Sequence, residues 1–254
     1  MNSLGKVFIC GAGPGDVGLL TLRARDLLTS CNVILYDRLV GNDILDLASA
    51  KSEKIYVGRE AGDPAVNQRL TNRLMIKYAR EGRSVLRLKG GDPFIFGRGA
   101  EEAEYLASKK IKFEIVPGIS SFIGASIYSG IPLTHRKYSS SLAIVTGHEF
   151  FGKHESTVKW KVLSKATDTL VILMGFKNMA SIIGELIDNG MGSKTRVAII
   201  TNATLKNQKV VVGTLGNIIT KSSDKNLRYP SIIIIGKVVE VRNRIKWFEE
   251  LTRS

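Results

Sequence analysis

Five short loops carry most of the residues in this chain that could do chemistry. They read "GAGPGD" (Gly11–Asp16), "YDRLV" (Tyr36–Val40), "VGREAG" (Val57–Gly62), "KGGDPFIFGRG" (Lys89–Gly99) and "VPGISS" (Val116–Ser121). Glycines let backbone amides and carbonyls approach a ligand closely where side chains would block it. Asp37 and Asp92 offer carboxylates that can take a proton or a hydrogen bond. Arg38, Arg87 and Arg98, on or near these loops, and Arg136 further on, can each grip a carboxylate through two parallel bonds. For any one of these arginines, a solvated or structural role is the competing reading. Together the residue types suit a small polycarboxylate or phosphate ligand.

The first loop invites comparison with a dinucleotide fingerprint, which wants G-x-G-x-x-G with its third glycine inside a helix. Here position 16 is Asp and Pro14 lies within the loop. The helical pattern starts only near Leu20 or Thr21, too late for its N-terminus to meet a pyrophosphate. Asp37 stands at about the spacing of the ribose-binding acid, but an Asp after a second strand is common. NAD or FAD binding is therefore disfavoured. "GGDP" alone would read as a tight turn with a helix cap. Across Leu88–Glu102, the density of glycine, charge and aromatic residues argues for more than a turn.

The elements that must hold these loops follow from periodicity. Strands are predicted at Lys6–Cys10, Asn32–Tyr36, Lys54–Val57, Ser84–Lys89 and Lys112–Val116. Between them, Leu20, Ala24, Leu27 and Leu28 make one helical face, and Leu70, Leu74 and Tyr78 another, ended by Gly82. Such alternation gives an α/β fold with a mainly parallel sheet. Every chemistry-bearing loop follows a strand, whereas the opposite connections, such as Ala50–Ser52 and Arg80–Arg83, look like plain surface turns. In open α/β sheets, ligands collect beyond the carboxyl ends of the strands, so this edge is the expected rim of a site.

The second half has strands at Thr169–Met174, Arg196–Thr201, Gln208–Val212 and Ser231–Ile235, with Val238–Val241 strand-like close behind. A helix carries Met179, Ile182, Ile183, Leu186 and Ile187. Closely spaced strands imply a mixed sheet and a second α/β domain, with a hinge near Pro132–Ser141 and domains spanning 1–136 and 137–254. The stretch Lys221–Arg228 reads as a polar surface loop.

Composition narrows the partners. The 254 residues carry a formal charge of +14, but Lys and Arg are scattered without a basic run or an aromatic-interleaved patch, so nucleic acid is not expected. No apolar run reaches the roughly 20 residues needed to cross a bilayer, and residues 1–5 are too few for a signal peptide. Cys10 and Cys31 lack ligand spacing and read as buried reduced thiols of a cytoplasmic protein. His135, His148 and His154 have no metal-ligand spacing, and no metal is expected.

The phrases "GAGPGD…LLTLRA…VILYDRLV", "RLKGGDPFIFGRGAEE", "VPGISS…SGIPLTHR", "TGHE" and "TLVILMG" together resemble the uroporphyrinogen-III C-methyltransferases, a branch of the tetrapyrrole methylases. The resemblance runs from about Gly11 to Val241. It implies a two-domain fold with the active site in the cleft between the domains, a homodimer, and S-adenosylmethionine as methyl donor. It also implies methylation of uroporphyrinogen III at carbons 2 and 7, giving precorrin-2 by way of precorrin-1 for siroheme or cobalamin. Because the module starts at once, a monofunctional enzyme is expected. The alternative is another precorrin methyltransferase of the superfamily. Carried over as cofactor-binding are Pro14, Gly90, Gly91, Asp92, Ile95, Ser120, Ser121, Met174 and Ala203; relatives more often have Thr-Ala at the Ser120–Ser121 pair. Asp37 takes the proton-acceptor position, with capping of the following turn as its competing role. Where relatives commonly have Lys as proton donor, this chain has Arg59, which stays protonated and suits an electrostatic clamp better. Arg38, Arg87, Arg98 and Arg136 are the expected substrate-carboxylate ligands; uroporphyrinogen III, with eight carboxylates, gives the basic charge a purpose.

Overall fold

The structure, a computed structural model, describes residues 4–58, 64–147, 157–223, 225, 227 and 229–251. It divides into two compact units, one ending at Ser121 and the other starting at Phe122.

The first unit is built as alternating strands and helices: β1 (Val7–Gly11), α1 (Leu22–Ser30), β2 (Val33–Tyr36), α2 (Asn42–Leu45), β3 (Glu53–Tyr56), α3 (Pro64–Arg80), β4 (Val85–Lys89), α4 (Gly99–Ser108) and β5 (Phe113–Val116). All five strands run parallel in the order β3-β2-β4-β1-β5. The predicted strands fall within a residue or two of these. α1 starts where the Thr21 hydroxyl accepts the Ala24 amide at 3.1 Å, so the chain reaches its first long helix well past the glycine loop.

Both faces of this sheet are covered, as parallel strands require. On one face Ala24, Leu27 and Leu28 of α1 and Ile44 and Leu45 of α2 pack on Cys10, Ile34, Leu86 and Leu88. On the other, Met75, Ile76 and Ala79 of α3 and Leu106 of α4 pack on Val7, Ile9, Val33, Leu35 and Val85. The neighbours β1 and β4 therefore send their chains to opposite faces. That reversal opens a crevice beyond their carboxyl ends.

The second unit contains α5 (Ser121–Ser129), β6 (Leu142–Thr146), α6 (Trp160–Ala166), β7 (Thr169–Leu173), α7 (Met179–Asp188), β8 (Arg196–Thr201), β9 (Lys209–Thr214), α8 (Ile218–Ser223), β10 (Ser231–Gly236), α9 (Arg242–Ile245) and α10 (Trp247–Leu251). Its sheet, β6-β7-β10-β8-β9, is mixed: β6 and β7 are parallel, while β10 runs antiparallel to both its neighbours. Besides β6, which the sequence reading did not include, three features depart from it. The division lies ahead of the expected hinge, because Phe122 and Ala125 of α5 and Ile131 are buried on Val171, Ala198 and Ile234 of the second sheet. Val238–Val241 lies in a 3-10 turn over Lys237–Val241, which tucks Val238 and Val239 into that same core instead of adding a strand. The polar stretch at 221–228 starts inside α8; Asp224, Asn226 and Arg228 lie outside the described residues.

Candidate active site

At the carboxyl edge of the first sheet, loops from four strands are locked together by backbone. The Ala12 amide donates to the Lys89 carbonyl at 2.7 Å, and Gly13 and Gly91 exchange amide-to-carbonyl bonds of 3.1 and 2.7 Å. Gly11 and Gly118 approach so closely that a Cβ on Gly118 would lie 2.3 Å from the Gly91 carbonyl oxygen and 2.8 Å from the Gly11 Cα. Gly91 itself sits at φ +70°, a conformation that costs any other residue. Asp92 completes the lock: its Oδ1 accepts the Phe94 amide at 2.9 Å and its Oδ2 the Gly118 amide at 3.1 Å. The loop after β2 joins from the other side, since a Cβ on Gly90 would meet the Leu39 Cβ at 2.6 Å.

Beneath this edge lies a buried ionic cluster that the sequence reading assigned differently. β4 is buried along its whole length, yet it carries Arg87 and Lys89 on the α3/α4 side. The Glu102 carboxylate of α4, with no exposure, accepts from Arg87 Nε and Lys89 Nζ at 3.1 Å each and from Gln68 Nε2 at 3.1 Å, all on Oε1. Arg87 Nη1 donates to the carbonyls of Leu35 at 3.4 Å and Leu88 at 3.2 Å, and Nη2 faces Asp37 Oδ2 at 3.5 Å. Only 5% exposed and bonded inward, Arg87 does not stand free at the rim as expected; burial on a two-sided sheet gives it internal partners instead. Desolvation pushes the Lys89 pKa below its ordinary value, helped by neighbouring Arg87. For Glu102, burial pushes upward, but Arg87 and Lys89 outweigh it and the carboxyl ends below its usual range.

Asp37 makes the capping contact expected of it: its Oδ1 accepts the Leu39 amide at 3.1 Å, and its side chain is 25% exposed above Arg87. Glu102 and Lys89 were not singled out from sequence. The signal was there: two basic residues at alternate positions of a strand covered on both faces require a buried counter-charge, and "GAEE" follows on the next helix.

The remaining expected residues distribute as follows. Pro14 and Ser121 are half-buried, Ser120 is buried and Ile95 is exposed beside Phe94 and Phe96. Arg98, in the left-handed region at φ 59°, precedes α4 and pairs with Glu101 at 2.6 Å. Arg38 is exposed. Arg59 lies outside the described residues, as do His148 and His154. In the second unit, β6, β7 and β8 point the same way, so Met174 and Ala203 share one edge of that sheet. Met174 (φ 56°), Asn202 (φ 48°) and Thr204 (φ 70°) give this edge three left-handed non-glycine residues. The loop after β6 is tied there too, with the Asn178 side-chain amide donating to the Gly147 carbonyl at 2.8 Å. Arg136, also in this unit, is exposed. Cys10 and Cys31 are both buried and free, and burial raises their thiol pKa values to about 12 and about 11.

Comparison with known proteins gives a consistent assignment. Residues 6–219 match the family described as Tetrapyrrole (Corrin/Porphyrin) Methylases. The chain is 46% identical over 242 residues to the S-adenosyl-L-methionine-dependent uroporphyrinogen III methyltransferase of Methanosarcina barkeri, covering 95% of each chain. It is 46% identical over 236 residues to the uroporphyrinogen-III C-methyltransferase of Priestia megaterium, covering 93% of this chain and 99% of that one. Among solved structures it resembles the uroporphyrin-III C-methyltransferase of Thermus thermophilus in complex with S-adenosyl homocysteine. That match has a TM-score of 0.79 and 36% identity, and covers 93% of this chain and 94% of that one. A mainly glycine-built strand edge over a parallel sheet, a second mixed sheet and a match across most of the sequence together place this chain in the tetrapyrrole methylase family.

Proposed function

We propose that this chain transfers methyl groups from S-adenosylmethionine to uroporphyrinogen III, at carbons 2 and 7, giving precorrin-2 by way of precorrin-1. What carries the reading is the 46% identity, over nearly full lengths, to two methyltransferases named for that substrate. The residues at the first sheet's edge suit the cofactor: Gly90 is only half-buried beside the Gly13–Gly91 pair, and Ile95 offers an exposed apolar surface. Pro14, Asp92, Ser120 and Ser121 would complete this part.

When bound, S-adenosylmethionine supplies an electrophilic methyl group on a sulfonium. An electron-rich pyrrole carbon would take that methyl as the sulfur–methyl bond breaks and S-adenosylhomocysteine leaves, so that positive charge would fall on the macrocycle and a proton would have to be lost. Asp37 is the group to stabilise that charge and accept the proton, being a partly exposed carboxylate at the edge where the ligand-binding loops meet. Arg38, Arg98 and Arg136 would hold acetate and propionate groups of the substrate; Arg59 would add a further fixed positive charge. A cytoplasmic homodimer feeding siroheme or cobalamin synthesis belongs to the same proposal.

The test is to incubate the protein anaerobically with uroporphyrinogen III and S-adenosylmethionine and follow precorrin-2, or the fluorescence of its oxidised form, sirohydrochlorin. Product is expected, and Asp37→Asn should lower its rate by about 100-fold or more. Cofactor binding without product would point to another precorrin methyltransferase, and failure to bind S-adenosylmethionine would overturn the proposal.

A further inference from the structure

We propose that Arg87 is a positioning residue that fixes the carboxylate of Asp37, and that Glu102 holds Arg87 in that role; this rests on the reading of Asp37 as proton acceptor. The geometry assigns each nitrogen of the guanidinium a separate task. Nε is held by Glu102 at 3.1 Å, and Nη1 by the Leu35 and Leu88 carbonyls at 3.4 and 3.2 Å. These three anchors fix the plane of the group, which leaves Nη2 directed at Asp37 Oδ2. Because β2 and β4 are neighbours in register, with Leu35 opposite Arg87, the end of β2 delivers Asp37 to that spot. Its other oxygen is already taken by the Leu39 amide, so both oxygens have a defined direction.

The chain of support continues inward. Glu102 is anchored by Lys89 of β4 and by Gln68 of α3, while among the described residues its Oε2 has no hydrogen-bond partner. Two cations and two carboxylates, Arg87, Lys89, Glu102 and Asp37, thus balance in charge beneath the edge. A purely structural cluster of this kind is a poor bargain, since apolar side chains of like volume commonly stabilise a fold as well or better. What apolar residues cannot do is aim a carboxylate. A general base must sit within hydrogen-bond reach of the proton it removes, and a misplacement of about 1 Å can cost 100-fold in rate.

Arg87→Lys tests this, because it keeps the charge and loses the planar fork. The expected result is a kcat lower by about 10- to 100-fold, with KM for uroporphyrinogen III and the affinity for S-adenosyl homocysteine within about twofold. Asp37→Asn should lose at least as much, and the double variant should lose no more than Asp37→Asn alone. An unchanged kcat would make Arg87 structural. A raised KM at constant kcat would return it to substrate binding, and multiplicative losses in the double variant would show that it acts independently of Asp37; each overturns the proposal. If Asp37→Asn alone keeps full kcat, the reading of Asp37 fails instead, and the positioning role falls with it. Should Arg87→Lys not fold, Glu102→Asp keeps the charge of the cluster but draws its carboxylate back from Nε. It should lower kcat at steady KM, and an unchanged kcat would again overturn the proposal.

Discussion

Among the described residues the two sheets have the same number of strands but opposite centres. β4, third of five in the first sheet, is parallel to both neighbours and carries Arg87 and Lys89 in a fully buried strand. β10, third of five in the second, is antiparallel to both neighbours and carries four isoleucines, Ile232–Ile235. Parallel neighbours end at the same edge, so the loops after β1, β2 and β5 all arrive where β4 ends, and a charge on β4 can reach them. The neighbours of an antiparallel strand end at the edge where it begins, so its own last residues have no such company. Buried charge is worth placing where strand ends converge; elsewhere aliphatic packing serves better.

The strongest way to break this contrast is to unbalance β4. Glu102→Gln should leave Arg87 and Lys89 buried without their shared carboxylate and cost about 3–5 kcal/mol of unfolding free energy, measured by urea titration. Replacing Arg87 and Lys89 by Met and Glu102 by Leu together should recover most of that stability while lowering kcat about as far as Asp37→Asn does. A triple variant as unstable as Glu102→Gln would show that the cluster supports the fold as well as the site. The pH dependence has a matching sign. The Glu102 pKa is lowered on folding from 4.5, so its contribution is present above that value and is lost on acidification; the variant should lack that part of the slope.

A smaller effect is expected at the glycines. Gly118→Ala would press its Cβ onto main-chain atoms of Gly91 and Gly11, which cannot rotate away, and should cost about 1–3 kcal/mol and weaken binding of S-adenosyl homocysteine. Gly184→Ala, in α7 of the second unit, meets nothing within 4 Å among the described residues and should stabilise by up to about 1 kcal/mol. Equal effects in thermal melts would mean that the close approach of the three loops is not what Gly118 is there for.

Much of this was legible in the sequence, because parallel strands announce themselves. Val33–Tyr36, Val85–Lys89 and their companions are short apolar runs bounded by glycine and polar turns, and the loops after them carry the distinctive residues. What escaped was set by contacts distant along the chain. β6 (Leu142–Thr146) was missed because it is an edge strand of only partial burial, flanked by serines and "GHE". Val238–Val241 has the residue types of a strand, yet Gly236 at φ 140° turns the chain before it, and its valines find the core from a 3-10 turn. Arg87 looked like a rim residue because its true partners, Glu102 on a helix and the Leu35 carbonyl on another strand, are known only once the strands are ordered.

The mildest change addresses the other half of the contrast. Ile233 is 1% exposed and stands opposite Ile172 on β7 and Ile199 on β8, so its neighbours are aliphatic on both sides. Ile233→Val removes one methylene-sized group from that layer and should cost about 0.5–1.5 kcal/mol, the range for a small cavity in a tightly packed core. With no ionisable group on β10 to be reoriented, kcat and KM should stay within about twofold of the parent. A fall in kcat well beyond that, at a temperature where the variant is fully folded, would mean that packing at the centre of the second sheet tunes the reaction directly. The division between a strand that aims chemistry and a strand that only holds the fold would then have to be given up.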